Sequence, residues 1–391
     1  MEKNYGPLNP GKRMLMGPGP SDMHPRVYQA LITPLVGHLD PYFIQVMDET
    51  KELLRYVFQT RNEFTLPVSG TGSAGMETCV CNLIEPGDTV LICVGGYFGD
   101  RMAQMVERHG GRLVRLENEW GRPFTADQVN KALKENAAKV VGIVHAETST
   151  GVLQPLEDIG RVVHGHDALF LVDTVASLGG VSIPVDEWGI DACYTGSQKC
   201  LSCPPGLAPI TLNDRAVERI VNRKTPVGSW YLDMSMVKNY WGGSRVYHHT
   251  APVTMIYALR EALVLMHEEG LENGFARHAL NYRAFRAGID AMGLKFFVEE
   301  AYRAPMINPV LAPDGIDEAK ARAHLLKGYG IEVGGGLGAL RGKAWRVGLM
   351  GQSSQKDHVL LFLGALEEAL LAQGFRTAGS GTAAAAAVYA G

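Results

Sequence analysis

Several absences narrow the reading before any motif is considered. The chain has no apolar run long enough to span a bilayer. It has no basic block either: 37 Lys and Arg are interspersed with 41 Asp and Glu for a net charge of -4. That pattern offers no track for a nucleic-acid backbone. Met1 to Pro10 is polar and lacks the apolar stretch of a signal peptide, and Tyr389-Ala390-Gly391 is not a peroxisomal address, so a cytoplasmic location is expected. No repeat of solenoid period is present. Cysteine is scarce: Cys79, Cys81, Cys93, Cys193, Cys200 and Cys203. A chain of this size needs no disulfide staples, so these are read as reduced, buried thiols. Cys200-x-x-Cys203 has no matching second pair, and the adjacent His248 and His249 project in different directions on a regular element. No metal site is expected.

What is present is a soluble globular composition, 46% hydrophobic and 20% charged over 391 residues. Short apolar runs alternate with amphipathic stretches: strands at 90–94, 111–116, 139–144, 168–172 and 191–195, with helices at 101–109, 126–134 and 156–164 between them. Strand and helix at this spacing predict an α/β fold with a largely parallel sheet covered by helices. In such sheets ligands sit beyond the carboxyl ends of the strands, which places His145, Asp173 and Lys199 along one edge. After about Gly270 the pattern becomes α+β. The expected division is an N-terminal arm (1–21), a large domain (22–269), a smaller C-terminal domain (270–376) and a flexible Gly/Ala-rich tail (377–391).

Three features carry chemistry. Ser69-Gly70-Thr71-Gly72-Ser73 follows an apolar stretch and opens a helical pattern, so free amide groups at a helix start can cradle a phosphate; the alternative is a capped turn. Gly70 to Gly75 also matches the dinucleotide fingerprint, although several elements precede it and no ribose-binding acid is evident. Asp173 ends the apolar run Ala168 to Val172, where an acid needs a partner such as a protonated pyridine nitrogen; a cap or salt bridge would also serve. Lys199 lies just before Pro204-Pro205-Gly206, and a desolvated lysine there becomes a nucleophile able to form a Schiff base. Cradle, acid and lysine in this order suit pyridoxal-phosphate (PLP) chemistry. A nicotinamide dehydrogenase has no need of such a lysine.

From about Met14 to Leu371 the chain resembles class V aminotransferases of PLP fold type I, and within them the alanine–glyoxylate (serine–pyruvate) aminotransferases. The resemblance is carried by Gly17-Pro18-Gly19-Pro20-Ser21, the Ser69 to Ser73 loop, His145-Ala146-Glu147-Thr148-Ser149-Thr150-Gly151, Val172-Asp173, Ser197-Gln198-Lys199, Tyr247-His248-His249-Thr250 and Trp345-Arg346-Val347-Gly348. It implies a large domain with a mostly parallel seven-stranded sheet, a smaller α+β domain, and a homodimer with shared active sites. It also implies pyridoxal 5'-phosphate held as an internal aldimine by Lys199, which shuttles the substrate proton in a ping-pong cycle. Asp173 pairs with the pyridine nitrogen. Thr71, Gly72 and Gln198 lie at the phosphate, with Tyr247 and Thr250 arriving from the partner subunit, and Ser73 of the same cofactor-binding loop stands where some members have histidine. Phe98, where some members have tryptophan, stacks on the ring; Thr148 stands where serine is frequent. Arg346 grips the substrate carboxylate in two parallel bonds, near Gly19 and His38.

The expected reaction moves an amino group from alanine or serine to glyoxylate or pyruvate. Related ureidoglycine–glyoxylate aminotransferases read the ureido group with a glutamine and an asparagine; this chain has His38 and Tyr247 at those positions. A PLP lyase or desulfurase would use the same lysine and aspartate but needs a reactive cysteine on a mobile loop. Gly334 to Gly338 reads as a flexible substrate-side loop near Arg346.

Overall fold

The computed structural model describes residues 5–391, so the first four residues of the expected N-terminal arm lie outside it. Seven strands form the large sheet: β1 (Phe64–Ser69), β2 (Thr89–Val94), β3 (Arg112–Glu117), β4 (Val140–Val144), β5 (Leu169–Asp173), β6 (Ala192–Tyr194) and β7 (Leu207–Leu212), in the spatial order β1-β7-β6-β5-β4-β2-β3. Every pairing among β3, β2, β4, β5 and β6 is parallel, while β7 runs antiparallel to both β6 and β1. β2, β4, β5 and β7 are buried along their whole length, as strands covered on both faces must be, and their sequences are correspondingly near-continuous apolar runs. β3 closes one edge and carries Arg112, Arg115 and Glu117 toward solvent, which blunts that edge against pairing with another chain.

Because β7 is the single reversed strand, all the other carboxyl ends open on one edge. β1 turns there into α1 (Gly72–Leu83), and β2 turns into α2 (Tyr97–Arg108). A second, four-stranded antiparallel sheet contains β8 (Lys295–Phe296), β9 (Ile307–Leu311), β10 (Gly334–Gly335) and β11 (Ala344–Gly348), in the order β8-β9-β11-β10. It packs with α3 (Leu271–Ala291) and α4 (Lys356–Leu371) around fully buried Trp345, Phe285 and Phe362. Met16, from the N-terminal arm, belongs to this same apolar cluster, and Met14–Leu15 pairs in parallel with Ile331–Glu332. Ser21, farther along the arm, donates from its amide to Gln198 O at 2.9 Å and from its hydroxyl to Lys199 O at 2.7 Å, so the arm ties the C-terminal layer to the turn after β6. The contact is close: a side chain at Gly348 would collide with the carbonyl oxygen of Gly17.

Two sequence expectations change. The glycine run at 334–338 is not a free loop at its start, since β10 pairs with Arg346 and Trp345 of β11. The tail read as flexible contains α5 (Gly381–Ala390), capped by the Ser380 hydroxyl, with Ala385 buried and the Tyr389 hydroxyl donating to Asn281 Oδ1 at 2.6 Å. Its alanines are small enough to lie close along α3, where small size serves packing and high helix propensity serves folding. Deleting residues 380–391 is therefore predicted to lower the melting temperature by roughly 5 °C, through loss of a few kcal/mol of burial. Unchanged melting in a thermal scan would mean that the segment contributes nothing.

Candidate active site

A cavity of about 230 Å³ opens at the carboxyl edge of the large sheet. Thr71, Gly72 and Ser73 line it from the start of α1, Phe98 and Arg101 from α2, Asp173 from the end of β5, and Gln198 and Lys199 from the turn after β6; Thr148 completes the wall. Eight of the residues expected at the cofactor thus meet in one place, drawn from positions up to 128 residues apart, from Thr71 to Lys199.

Asp173 is buried, and each carboxylate oxygen has one donor: the Val175 amide at 2.8 Å and the Tyr194 hydroxyl at 2.7 Å. Burial still dominates and raises the carboxyl to about 6, with the two hydrogen bonds acting against it. Lys199 is held beside the Pro18 carbonyl, to which its Nζ donates. Burial, reinforced by the Arg346 charge, lowers its ammonium to about 8. A side chain at Gly19 would come within 2.6 Å of Lys199 Nζ, and its φ of +100° also favours glycine, so Gly19 clears the space in which the amine moves.

The cradle fits an anion. Thr71 stands at the N-cap of α1 without spending its hydroxyl on the cap, and the first turn of a helix leaves amide N–H groups unpaired. Gln198 Oε1 is buried with no partner among the described residues, so one end of this amide awaits a contact. Half a turn of the amide presents its NH2 instead.

Arg346 lies on β11 and is 8% exposed. Its Nε donates to Gly335 O at 2.8 Å and one Nη to Thr148 O at 3.3 Å. No carboxylate among the described residues forms an ion pair with it, and burial lowers its guanidinium to about 10, still protonated at neutral pH. Such an arginine, oriented by carbonyls, is ready for an external carboxylate.

The remaining expected residues lie elsewhere within the chain. Tyr247 and Thr250 are exposed, their hydroxyls 3.3 Å apart, and neither lines the cavity. His38 sits beside Tyr247, ring centres 5.0 Å apart, and its carbonyl accepts from Tyr240. His145, placed on the catalytic edge by its sequence position, turns aside: its Nδ1 meets Ser177 Oγ at 3.0 Å, its ring edge faces Trp188, and burial lowers it to about 3. The sequence reading missed Arg101, Tyr194 and Glu147. Glu147 is buried and accepts from the amides of Phe98 and Gly99 at 3.2 and 3.3 Å, which fixes the start of α2 and with it Phe98. Spacing offered a signal for Arg101 alone, three residues after Phe98 on one helix face.

All six cysteines are buried, and burial raises Cys93, Cys193 and Cys200 to about 12. None offers the reactive loop thiol of a desulfurase. Among the described residues no cluster has the composition of a metal site and no helix is long and apolar enough to cross a membrane.

Known proteins resemble the chain over most of its length. A family model described as aminotransferase class-V matches residues 26–353. The (S)-ureidoglycine–glyoxylate transaminase of Bacillus subtilis (strain 168) is 44% identical over 377 residues, covering 92% of this chain and 91% of that protein. The alanine–glyoxylate aminotransferase of Callithrix jacchus is 41% identical over 368 residues, covering 93% and 89%. The crystal structure of alanine–glyoxylate aminotransferase from Nostoc sp. superposes with a TM-score of 0.93 at 48% identity, over 94% of this chain and 98% of that one. The fold is that of PLP fold type I aminotransferases. The chain belongs to the class V aminotransferase family and is an aminotransferase acting on amino-acid and keto-acid substrates; the dehydrogenase reading of the Gly70 to Gly75 run falls away.

The raised Asp173 carboxyl has a consequence for stability. With a folded value near 6 and an unfolded value near 4, ionisation costs the ligand-free fold up to roughly 3 kcal/mol as pH rises from about 4 to 6, and the cost is constant above that. Asp173→Asn should therefore stabilise the ligand-free protein above pH 6 and leave it unchanged near pH 4. Denaturant unfolding at the two pH values checks this, and an equal effect at both would contradict it.

Proposed function

We propose that this enzyme transfers an amino group from alanine or serine to glyoxylate or pyruvate, with pyridoxal 5'-phosphate bound in the cavity at Lys199. The observation that carries the reading is a buried lysine of lowered basicity lining the same cavity as a buried aspartate, with no ion pair between them among the described residues. The family implies the cofactor. When bound, it supplies a reactive carbonyl and an electron-withdrawing ring.

The chain's own residues do the rest. Asp173 holds a positive charge at the ring nitrogen, and that charge offsets the desolvation the carboxylate otherwise suffers. Thr71, Gly72, Ser73 and Gln198 take the phosphate, Phe98 covers one face of the ring and Thr148 borders it. Lys199, part neutral near pH 8, is nucleophile and proton carrier at the substrate carbon. Arg346 fixes the substrate carboxylate. Tyr247 and Thr250, exposed and away from their own chain's cavity, serve the site of the partner in a homodimer.

For the donor, the Bacillus relative's name points to ureidoglycine and the Callithrix relative's to alanine. His38 and Tyr247 lie against each other outside their own chain's cavity, where they would meet a donor only at the partner's site, and they offer no paired amide to read a urea. That contact supports a small donor.

The test is a visible absorption spectrum of the purified protein with successive additions. We expect L-alanine to bleach the cofactor band and glyoxylate to restore it; a band that ignores alanine and serine but answers ureidoglycine would reverse the donor assignment. Arg346→Ala should cost about 2–4 kcal/mol in kcat/KM for L-alanine, from two charge-assisted bonds that are not fully additive. Unchanged kinetics would remove Arg346 from carboxylate binding.

A further inference from the structure

The cavity contains one charged group that the proposed scheme leaves unused. Arg101 lines it beside Ser73 and Phe98. One guanidinium nitrogen donates to Ser73 Oγ at 2.8 Å. The guanidinium carbon also lies 4.8 Å from the centre of the Phe98 ring and 5.3 Å from that of Tyr97. These contacts follow from helix geometry, since Tyr97, Phe98 and Arg101 are four and three residues apart on α2. No carboxylate among the described residues forms an ion pair with Arg101, although many surface arginines of this chain have one, such as Arg115 with Asp100 and Arg161 with Glu157. A half-buried guanidinium fixed by a neutral hydroxyl and two ring faces retains its full charge for an anion in the cavity.

Two anionic groups are expected there, a phosphate and a substrate carboxylate. Arg346 is the unpaired cation on the small-sheet side, where its neighbours are Gly335 and Thr148. Arg101 is tied instead to the second residue of α1, where the helix start itself favours negative charge. We propose that Arg101, positioned by Ser73 and the Phe98 ring, supplies the side-chain positive charge that retains the cofactor phosphate. This rests on the PLP reading above. Its role is cofactor retention, and no proton or covalent bond passes through it. Ser73 then acts twice, as a donor at the phosphate and as the hydroxyl that orients the guanidinium.

A phosphate role and a purely structural role predict different ligand dependence. Equilibrium dialysis of the full-length protein against PLP, and separately against pyridoxal, which lacks the phosphate, separates them. Losing one charge-assisted hydrogen bond should weaken PLP binding roughly 10- to 100-fold in Arg101→Ala. Pyridoxal binding should stay unchanged within about twofold, because the lysine, aspartate and ring contacts remain. Arg101→Lys should recover part of the loss, and Ser73→Ala should show a smaller loss with the same PLP-only pattern. Equal weakening of PLP and pyridoxal would mean that Arg101 merely holds Phe98 in place, and would overturn the proposal. So would PLP binding unaffected by Arg101→Ala. Should Arg101→Ala fail to fold, the Arg101→Lys and Ser73→Ala pair carries the same comparison. A wild-type protein that holds neither ligand would instead defeat the PLP reading itself, a result distinct from either outcome for Arg101.

Discussion

The site depends on the desolvation of two opposite charges that are not allowed to neutralise each other. Lys199 and Asp173 are both taken out of water at the open edge of the large sheet, and among the described residues no ion pair joins them. Each is therefore pushed toward neutrality, the lysine down to about 8 and the aspartate up to about 6. A direct salt bridge would have stabilised both charges and left an inert pair. Separate placement, with Asp173 tied to Tyr194 and Val175 and Lys199 to Pro18, leaves each ready for an external partner.

Much of the fold can be read as the means of keeping that separation. Parallel strands bring their carboxyl ends to one edge, so residues distant in sequence meet there without long loops. The reversed β7 completes the sheet between β1 and β6 and leaves that edge clear. The N-terminal arm reaches both layers: its Met16 is buried among residues of the small sheet, while Pro18 and Gly19 lie against Lys199. The same arm abuts Gly348, two residues from Arg346, so Arg346 and Lys199 are positioned by one strand of chain.

The sequence was most legible where a single pattern had a single physical cause. Buried apolar runs ended by a polar residue marked β4, β5 and the segment after β6, and the glycines at 70 and 72 marked the start of α1. It was least legible where the cause was tertiary. Leu207–Leu212 is apolar in either direction, so its antiparallel placement has no local signature. The alanines of α5 read as unpackable because their complement, α3, lies about a hundred residues earlier, where Tyr389 meets Asn281. Tyr194 became an orienting donor for Asp173 only through the register of β6 against β5, which sets those two residues side by side. His145 shows the converse: its place at a strand end was right, but its side chain was claimed by Ser177 and Trp188. Tyr247 and Thr250 were expected from the family motifs alone; both are exposed, so burial within one chain offers no signal for them.

The most direct test of this account is where the cofactor attaches. Borohydride reduction of the purified, PLP-loaded protein, followed by proteolysis and mass spectrometry of the peptides, locates the lysine that carries the pyridoxyl group. The account predicts the label on Lys199 and on no other lysine. A label on a different lysine, or none, would contradict the assignment of this cavity as the catalytic centre.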